Sequence, residues 1–186
     1  PMANLKSKKV VVIGAGNMGG AILTGAVESG VFSPDEVKAV DLDEEVLASH
    51  RDRLGVHISN DASTVVEEAA VILLALKPQV WRGVVEPFAE RIRPTSTVIS
   101  IMAGVTTEGL LAVVPDGVAV VRSMPNLMAQ VGASASALCG GKGATDAHLE
   151  QAETLLGAVG LTARVDESQM DAVTGLSGSG PAFVFV

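Results

Sequence analysis

Along this chain, short runs of β-branched and aliphatic residues alternate with segments whose apolar positions recur every third or fourth residue. Runs of the first kind suit strands buried on both faces and those of the second suit helices, so their alternation predicts βαβ units around a parallel sheet. KKVVVIG reads as a buried strand, and NMGGAILTGAVESG as a helix closed by Gly30. EVKAVDLD is a second strand, followed by DEEVLASHRDRLG, a helix opened by acids and stopped by Gly55. VHIS, AVILLALKP and STVISIMAG give three more strands, with helical segments over residues 63–69 and 80–91 between them. GVAVVRSMPN and ASASALCGG are strand-like, a helix follows over 146–159, and LTARVDE supplies an edge strand. No internal repeat or low-complexity segment interrupts the series. The reading is an α/β fold with a Rossmann-type, doubly wound, mainly parallel sheet over residues 8–164. Residues 165–186 form a connection and the start of something further.

Composition narrows the class. Of 186 residues, 48% are hydrophobic and 18% charged, which is ample for a packed core and argues against disorder. The longest uncharged apolar run, 69–76, has eight residues, far short of the ~20 that span a bilayer. No apolar stretch precedes the first strand, so a secretory signal is not expected. The lone Cys139 excludes an intramolecular disulfide and a cysteine-based zinc cluster, and a cytoplasmic protein is the expectation. The net charge of −8, with no basic cluster after Lys6–Lys9, argues against a nucleic-acid partner. An acidic protein must hold any anionic ligand with backbone N–H groups or a local dipole.

VVVIGAGNMGGAI supplies such groups. Gly14, Ala15, Gly16, Asn17, Met18 and Gly19 form a G-x-G-x-x-G that follows a strand and opens a helix. The first glycine permits a tight turn, the second lets a pyrophosphate approach the backbone, and the third lets helix and strand pack closely. The helix N-terminus adds unpaired N–H groups and partial positive charge. Asp41 follows Gly19 by 22 residues and is placed to hold the ribose 2′-hydroxyl of an NAD-type cofactor, or else to cap the next helix. A 2′-phosphate ~4 Å from it would be repelled by roughly 4 kcal/mol at an effective dielectric of ~20. Arg51 and Arg53 lie at the far end of the following helix, so this stretch favours NADH. Ala75, Leu76, Lys77 and Pro78 close the fourth strand at the carboxyl edge of the sheet, where ligands bind in such folds. Ile101, Met102 and Ala103 end the fifth strand in the same way, and residues 122–126, RSMPN, end the next.

Taken in order, these blocks and the final DAVTGLSGSGPAF resemble the pyrroline-5-carboxylate reductase family from about Val10 to the last residue. The resemblance implies reduction of 1-pyrroline-5-carboxylate to L-proline by NADPH or NADH. It implies that residues 14–19 hold the pyrophosphate and that residues 75–78 and 101–103 line the nicotinamide side. Glu167, Asn126 and Ser177 are the residues it places at the substrate, with Glu167 favoured over Asn126 as the substrate's neighbour. Residues 177–180 would then turn into a long helix of a second, helical domain, through which relatives form homodimers and larger homo-oligomers. Neither nucleic acid nor membrane is an expected partner. In two respects the chain departs from the family: VDLDEE lacks the Ser, Asn or Arg that greets a 2′-phosphate, and most of the helical domain is absent. Two other readings stand beside this one, a different β-hydroxyacid dehydrogenase-like oxidoreductase and a non-catalytic dinucleotide-binding module.

The remaining chemistry-bearing residues have plain readings. His50, His57 and His148 are expected to be surface or structural groups, Trp81 a core residue, and Cys139 a small buried hydrophobe. Met18, Met102 and Met124 are placed at crevice-facing turns, where they fill gaps or pack on a flat ring. Glu67, Glu68, Glu150 and Glu153 read as a solvated helix face.

Overall fold

The structure, a computed structural model, describes residues 9–178. Strands β1 (Val10–Ile13), β2 (Val37–Val40), β3 (His57–Ser59), β4 (Val71–Leu74), β5 (Thr97–Ser100), β6 (Ala119–Met124), β7 (Ser134–Gly140) and β8 (Gly160–Arg164) form one sheet. Their order is β3-β2-β1-β4-β5-β6-β7-β8, and every neighbouring pair is parallel except β6 with β7. Connections run one way from β1 to β3 and the other way from β4 onward. The carboxyl ends of β1 and β4 therefore diverge at a topological switch point, where this class of sheet binds its ligands.

Alternation along the strands builds two cores. Val10 and Val12 of β1, Leu73 of β4, Ile99 of β5 and Val121 of β6 face one side. They pack there with Ile22 and Leu23 of α1 (Asn17–Glu28), Leu47 of α2 (Glu44–Leu54), and Leu155 and Leu156 of α5 (Asp146–Gly157). Val11, Ile13, Ile72, Leu74, Val98 and Val120 face the other side. Trp81 and Val85 of α3 (Trp81–Val85) and Leu110 of α4 (Thr107–Leu111) cover them. Each strand residue thus has an apolar neighbour whichever way it points, which is why these strands read as unbroken apolar runs.

Four local expectations need correction. Residues 63–69 form two 3₁₀ turns, Ala62–Thr64 and Val66–Glu68, rather than a helix. The helix expected over 80–91 is α-helical only to Val85, because Pro87 removes an N–H donor and the chain tightens into a 3₁₀ segment, Glu86–Arg91. Helix α4 was not anticipated; Thr106 caps it through Gly109 N–H. Ser177 does not begin a turn before a new helix: α6 (Met170–Val173) runs straight into a π-helical turn, Thr174–Gly178, that contains it. The rest of that expected turn and helix start, residues 179–186, lies outside the described residues.

Beyond β6 the sheet overruns its own edge. The β6–β7 register begins with Met124 opposite Ala137, so Ser134, Ala135 and Ser136 project past β6. Strand β8 pairs with Ser134–Leu138 and so stands mostly on this overhang. A third, small cluster of Ala137, Cys139 and Met170, with Met124, Val165 and Val173 against it, fastens the segment after β8 to the sheet.

Candidate functional site

The glycine loop is held by contacts that only glycine permits. Gly14 has φ 91°, and a Cβ there would lie 2.4 Å from the Ala75 carbonyl oxygen. At Gly19 it would lie 1.9 Å from the Gly14 carbonyl oxygen and 2.9 Å from the Ala75 Cβ. Gly16 differs: nothing lies within 4 Å of where its Cβ would be. Gly16 is also the N-cap of α1, with no side-chain cap and no acid in the first turn. By contrast, Asp43 caps α2 and Thr106 caps α4. An open cradle below an uncapped, 12-residue helix fits an anionic group held by backbone N–H donors, and a dinucleotide pyrophosphate meets that description.

Asp41 sits beside this loop and does not cap α2, a role that Asp43 takes through Glu45 N–H and Val46 N–H. One Asp41 carboxylate oxygen accepts from Ala15 N–H at 2.8 Å and the other from Asp43 N–H at 3.1 Å. His50 Nε2 lies 2.8 Å from the Ala15 carbonyl oxygen. The nearest α2 arginines are committed elsewhere, Arg51 to Asp52 and Arg53 to Glu28. The loop therefore meets carboxylate rather than guanidinium on the β2 side.

Across the switch point, Ala75 N–H donates to the Ile13 carbonyl at 2.8 Å and Ile101 N–H to the Leu74 carbonyl at 3.1 Å. These bonds align the ends of β1, β4 and β5. Ala75, Leu76, Pro78, Ile101 and Ala103 are half-buried there, and Lys77 is exposed. The Met102 side chain is buried in the core, the gap-filling place rather than one on a flat ring. Asn17 is exposed, and Met18 packs partly on the α1-side core.

The three residues expected at the substrate fall into two groups. Asn126 Nδ2 donates to Ser177 Oγ at 3.2 Å, while its own Oδ1 accepts from Met128 N–H. Glu167 is engaged on both oxygens: one accepts from Thr107 N–H at 2.8 Å and from Arg122 at 3.5 Å, the other from Thr107 Oγ1 at 2.6 Å. Burial alone would raise the Glu167 carboxyl, but the Thr107 and Arg122 hydrogen bonds outweigh it and hold it below the ordinary carboxylate range. Arg122 is 3% exposed and also donates to Asp171 at 3.2 Å. Thr107 and Arg122 were not singled out from sequence. For Arg122 a signal existed: a lone cation inside the apolar run VAVVRSM needs a carboxylate partner if that run is a buried strand.

A cavity of about 890 Å³ lies away from the strand ends. It is a groove along the outer face of α1, between α2 and residues 129–132, and it meets the glycine loop at Ala15, Gly16 and Asn17 and the α2 side at Asp43, His50 and Arg53. Of the remaining groups, Trp81 is buried with the Arg82 guanidinium 4.7 Å over its ring, and His148 closes a capping box with Thr145. Glu67, Glu68 and Glu153 pair with Arg91, Lys9 and Arg164. Among the described residues, no helix is long and apolar enough to cross a membrane, and no His, Cys, Asp and Glu cluster could hold a metal ion.

A family model described as NADP oxidoreductase, coenzyme F420-dependent, matches residues 9–104. A pyrroline-5-carboxylate reductase of Methanosarcina acetivorans is 40% identical over 181 residues, covering 97% of this chain and 67% of that protein. One from Haemophilus influenzae is 37% identical over 183 residues, covering 98% and 67%. Among solved structures, a pyrroline-5-carboxylate reductase from Coxiella burnetii superposes with a TM-score of 0.88 at 30% identity, over 96% of this chain and 67% of that one. The chain thus spans about two thirds of the length of these relatives.

Proposed function

The chain belongs to the pyrroline-5-carboxylate reductase family, and from that premise we propose that it carries the cofactor-binding part of an enzyme reducing 1-pyrroline-5-carboxylate to L-proline. The observation that carries the reading is the open, uncapped N-terminus of α1 at Gly16, set at the switch point between β1 and β4. Residues 14–19 hold the pyrophosphate with backbone N–H groups, and Asp41 faces the adenosine ribose. Residues 75–78 and 101–103 flank the nicotinamide, with Met102 contributing backbone alone. When bound, the reduced nicotinamide supplies a hydride to C5 of the protonated cyclic imine, and the C=N bond becomes the C–N bond of proline.

Because that imine is already electrophilic, the chain has to orient, shield and neutralise rather than exchange protons. Asn126 and Ser177 form a polar pair able to turn one donor toward the substrate. Glu167, kept ionised by Thr107 and Arg122, places negative charge near the iminium and locks the segment after β8 against α4. Residues 8–164 form the dinucleotide-binding domain, and residues from 165 onward begin a helical domain through which the protein forms homo-oligomers.

The acids of VDLDEE and the lack of a nearby uncommitted arginine among the described residues support NADH as the preferred cofactor, with NADPH tolerated. The family model's description, which names NADP, is the counterweight. Titrating the chain with each dinucleotide and following nicotinamide fluorescence tests this. Tight NADPH binding without NADH binding rejects the preference, and binding of neither rejects the cofactor assignment. Nicotinamide oxidation that depends on added pyrroline-5-carboxylate establishes the reaction. A different imine or hydroxyacid substrate oxidising it faster would favour another oxidoreductase.

A further inference from the structure

We propose that His50 is a positioning residue for the dinucleotide, fixing the orientation of the Ala15–Gly16 peptide from the outer layer of the fold. The proposal rests on the cofactor reading above. His50 lies on the second turn of α2, outside the G-x-G-x-x-G motif, yet its Nε2 is 2.8 Å from the Ala15 carbonyl oxygen. A carbonyl only accepts, so Nε2 carries the proton and donates. The contact is built on both sides. Gly20, one turn into α1, would place a Cβ 2.8 Å from the same Nε2, so the absence of a side chain there makes room for the ring.

Ala15 is thereby tied at both ends. Its N–H donates to Asp41 Oδ2 at 2.8 Å and its carbonyl accepts from His50 at 2.8 Å. Its side chain is fully buried, which leaves no third direction in which the residue can move. A trans peptide is planar, with C=O and N–H on opposite sides. Holding the Ala15 carbonyl toward α2 therefore turns the Gly16 N–H away from α2. Gly16 is the residue whose missing Cβ leaves open space, at the uncapped end of α1. Among the described residues no hydrogen-bond acceptor occupies this N–H. Without His50 the peptide is free to rotate, and the donor that the phosphate needs must be ordered at the moment of binding, which weakens affinity.

The experiment compares the wild-type chain with His50→Ala and with His50→Gln, whose amide NH₂ restores a donor. Two quantities are read: the dissociation constant for each dinucleotide, and amide hydrogen exchange across residues 14–17 without cofactor. His50→Ala is expected to raise the dissociation constant about five- to tenfold, the worth of one hydrogen bond, and to speed exchange in the loop. His50→Gln should recover most of both, and the maximal rate at saturating cofactor should stay unchanged in an active assembly. Unchanged affinity and exchange in His50→Ala overturn the proposal. So does an equal loss in His50→Ala and His50→Gln, which would mark a packing role only. A wild-type chain that binds neither dinucleotide rejects the cofactor reading and this role with it, and it does so before any substitution is made.

Discussion

Gly16 and Gly19 stand three residues apart in one loop, and a methyl group added at each has opposite consequences. At Gly19 it collides with the Gly14 carbonyl at 1.9 Å and with Ala75, both backbone-supported. Gly19→Ala is expected to cost about 3 kcal/mol of stability, read from urea unfolding. At Gly16 the methyl enters open space. Gly16→Ala should fold within about 1 kcal/mol of wild type yet bind the dinucleotide at least about tenfold more weakly, since the methyl takes the volume a phosphate needs. Equal stability losses would contradict this division of roles. Cys139 makes a separate prediction. Burial first, and then the Glu167 charge, push its thiol up to about 11 against the opposing Arg122 charge. Alkylation by iodoacetamide at pH 8 should be negligible in the native chain and rapid once it is unfolded.

Elements differ in how much of their position their own residues reveal. The central strands were legible because each must satisfy two apolar layers, and α2 because Asp43 and Gly55 mark both its ends. Helix α4 escaped notice because it is a single short turn-and-a-half containing Gly109, stabilised by Thr106 and by Glu167, 60 residues from Thr107. The glycine loop and Asp41 were visible as a motif, whereas His50 was not, since its role exists only once α2 has packed beside α1. Glu167 was seen, but its partners were not, because Arg122 comes to it from within β6 and Thr107 from the first residue of α4. That tie has a pH signature. A carboxyl held below its ordinary value contributes stability that is complete above the unfolded-state value, 4.5, and is lost as pH falls through the lower folded-state value. Glu167→Gln should thus be less stable than wild type by about 1 kcal/mol at pH 7, with the gap closing below pH 4.5. A gap that widens on acidification would refute the assignment of charge.

At the scale of the molecule, cofactor and fold are linked by mass action. A dinucleotide at a hundred times its dissociation constant adds about 2.7 kcal/mol, which for a domain of this size raises the melting temperature by about 5–10 °C. NADH should give that shift in the wild-type chain and about half of it or less in Gly16→Ala, and differential scanning fluorimetry measures both. The overhang of β7 sets a further limit on this molecule. Three residues at ~3.3 Å each raise a parapet of about 10 Å above the end of β6, so the height of one wall beside the strand ends is counted in residues. Ser134 and Ser136 are buried on one face of it, and the Ser134 hydroxyl accepts from Asn126 N–H at 3.3 Å. Side chains alternate along a strand, so removing one residue would turn both serines outward, while removing two would keep them inside a lower wall. The depth of the crevice is therefore adjustable only in steps of two residues, each about 7 Å.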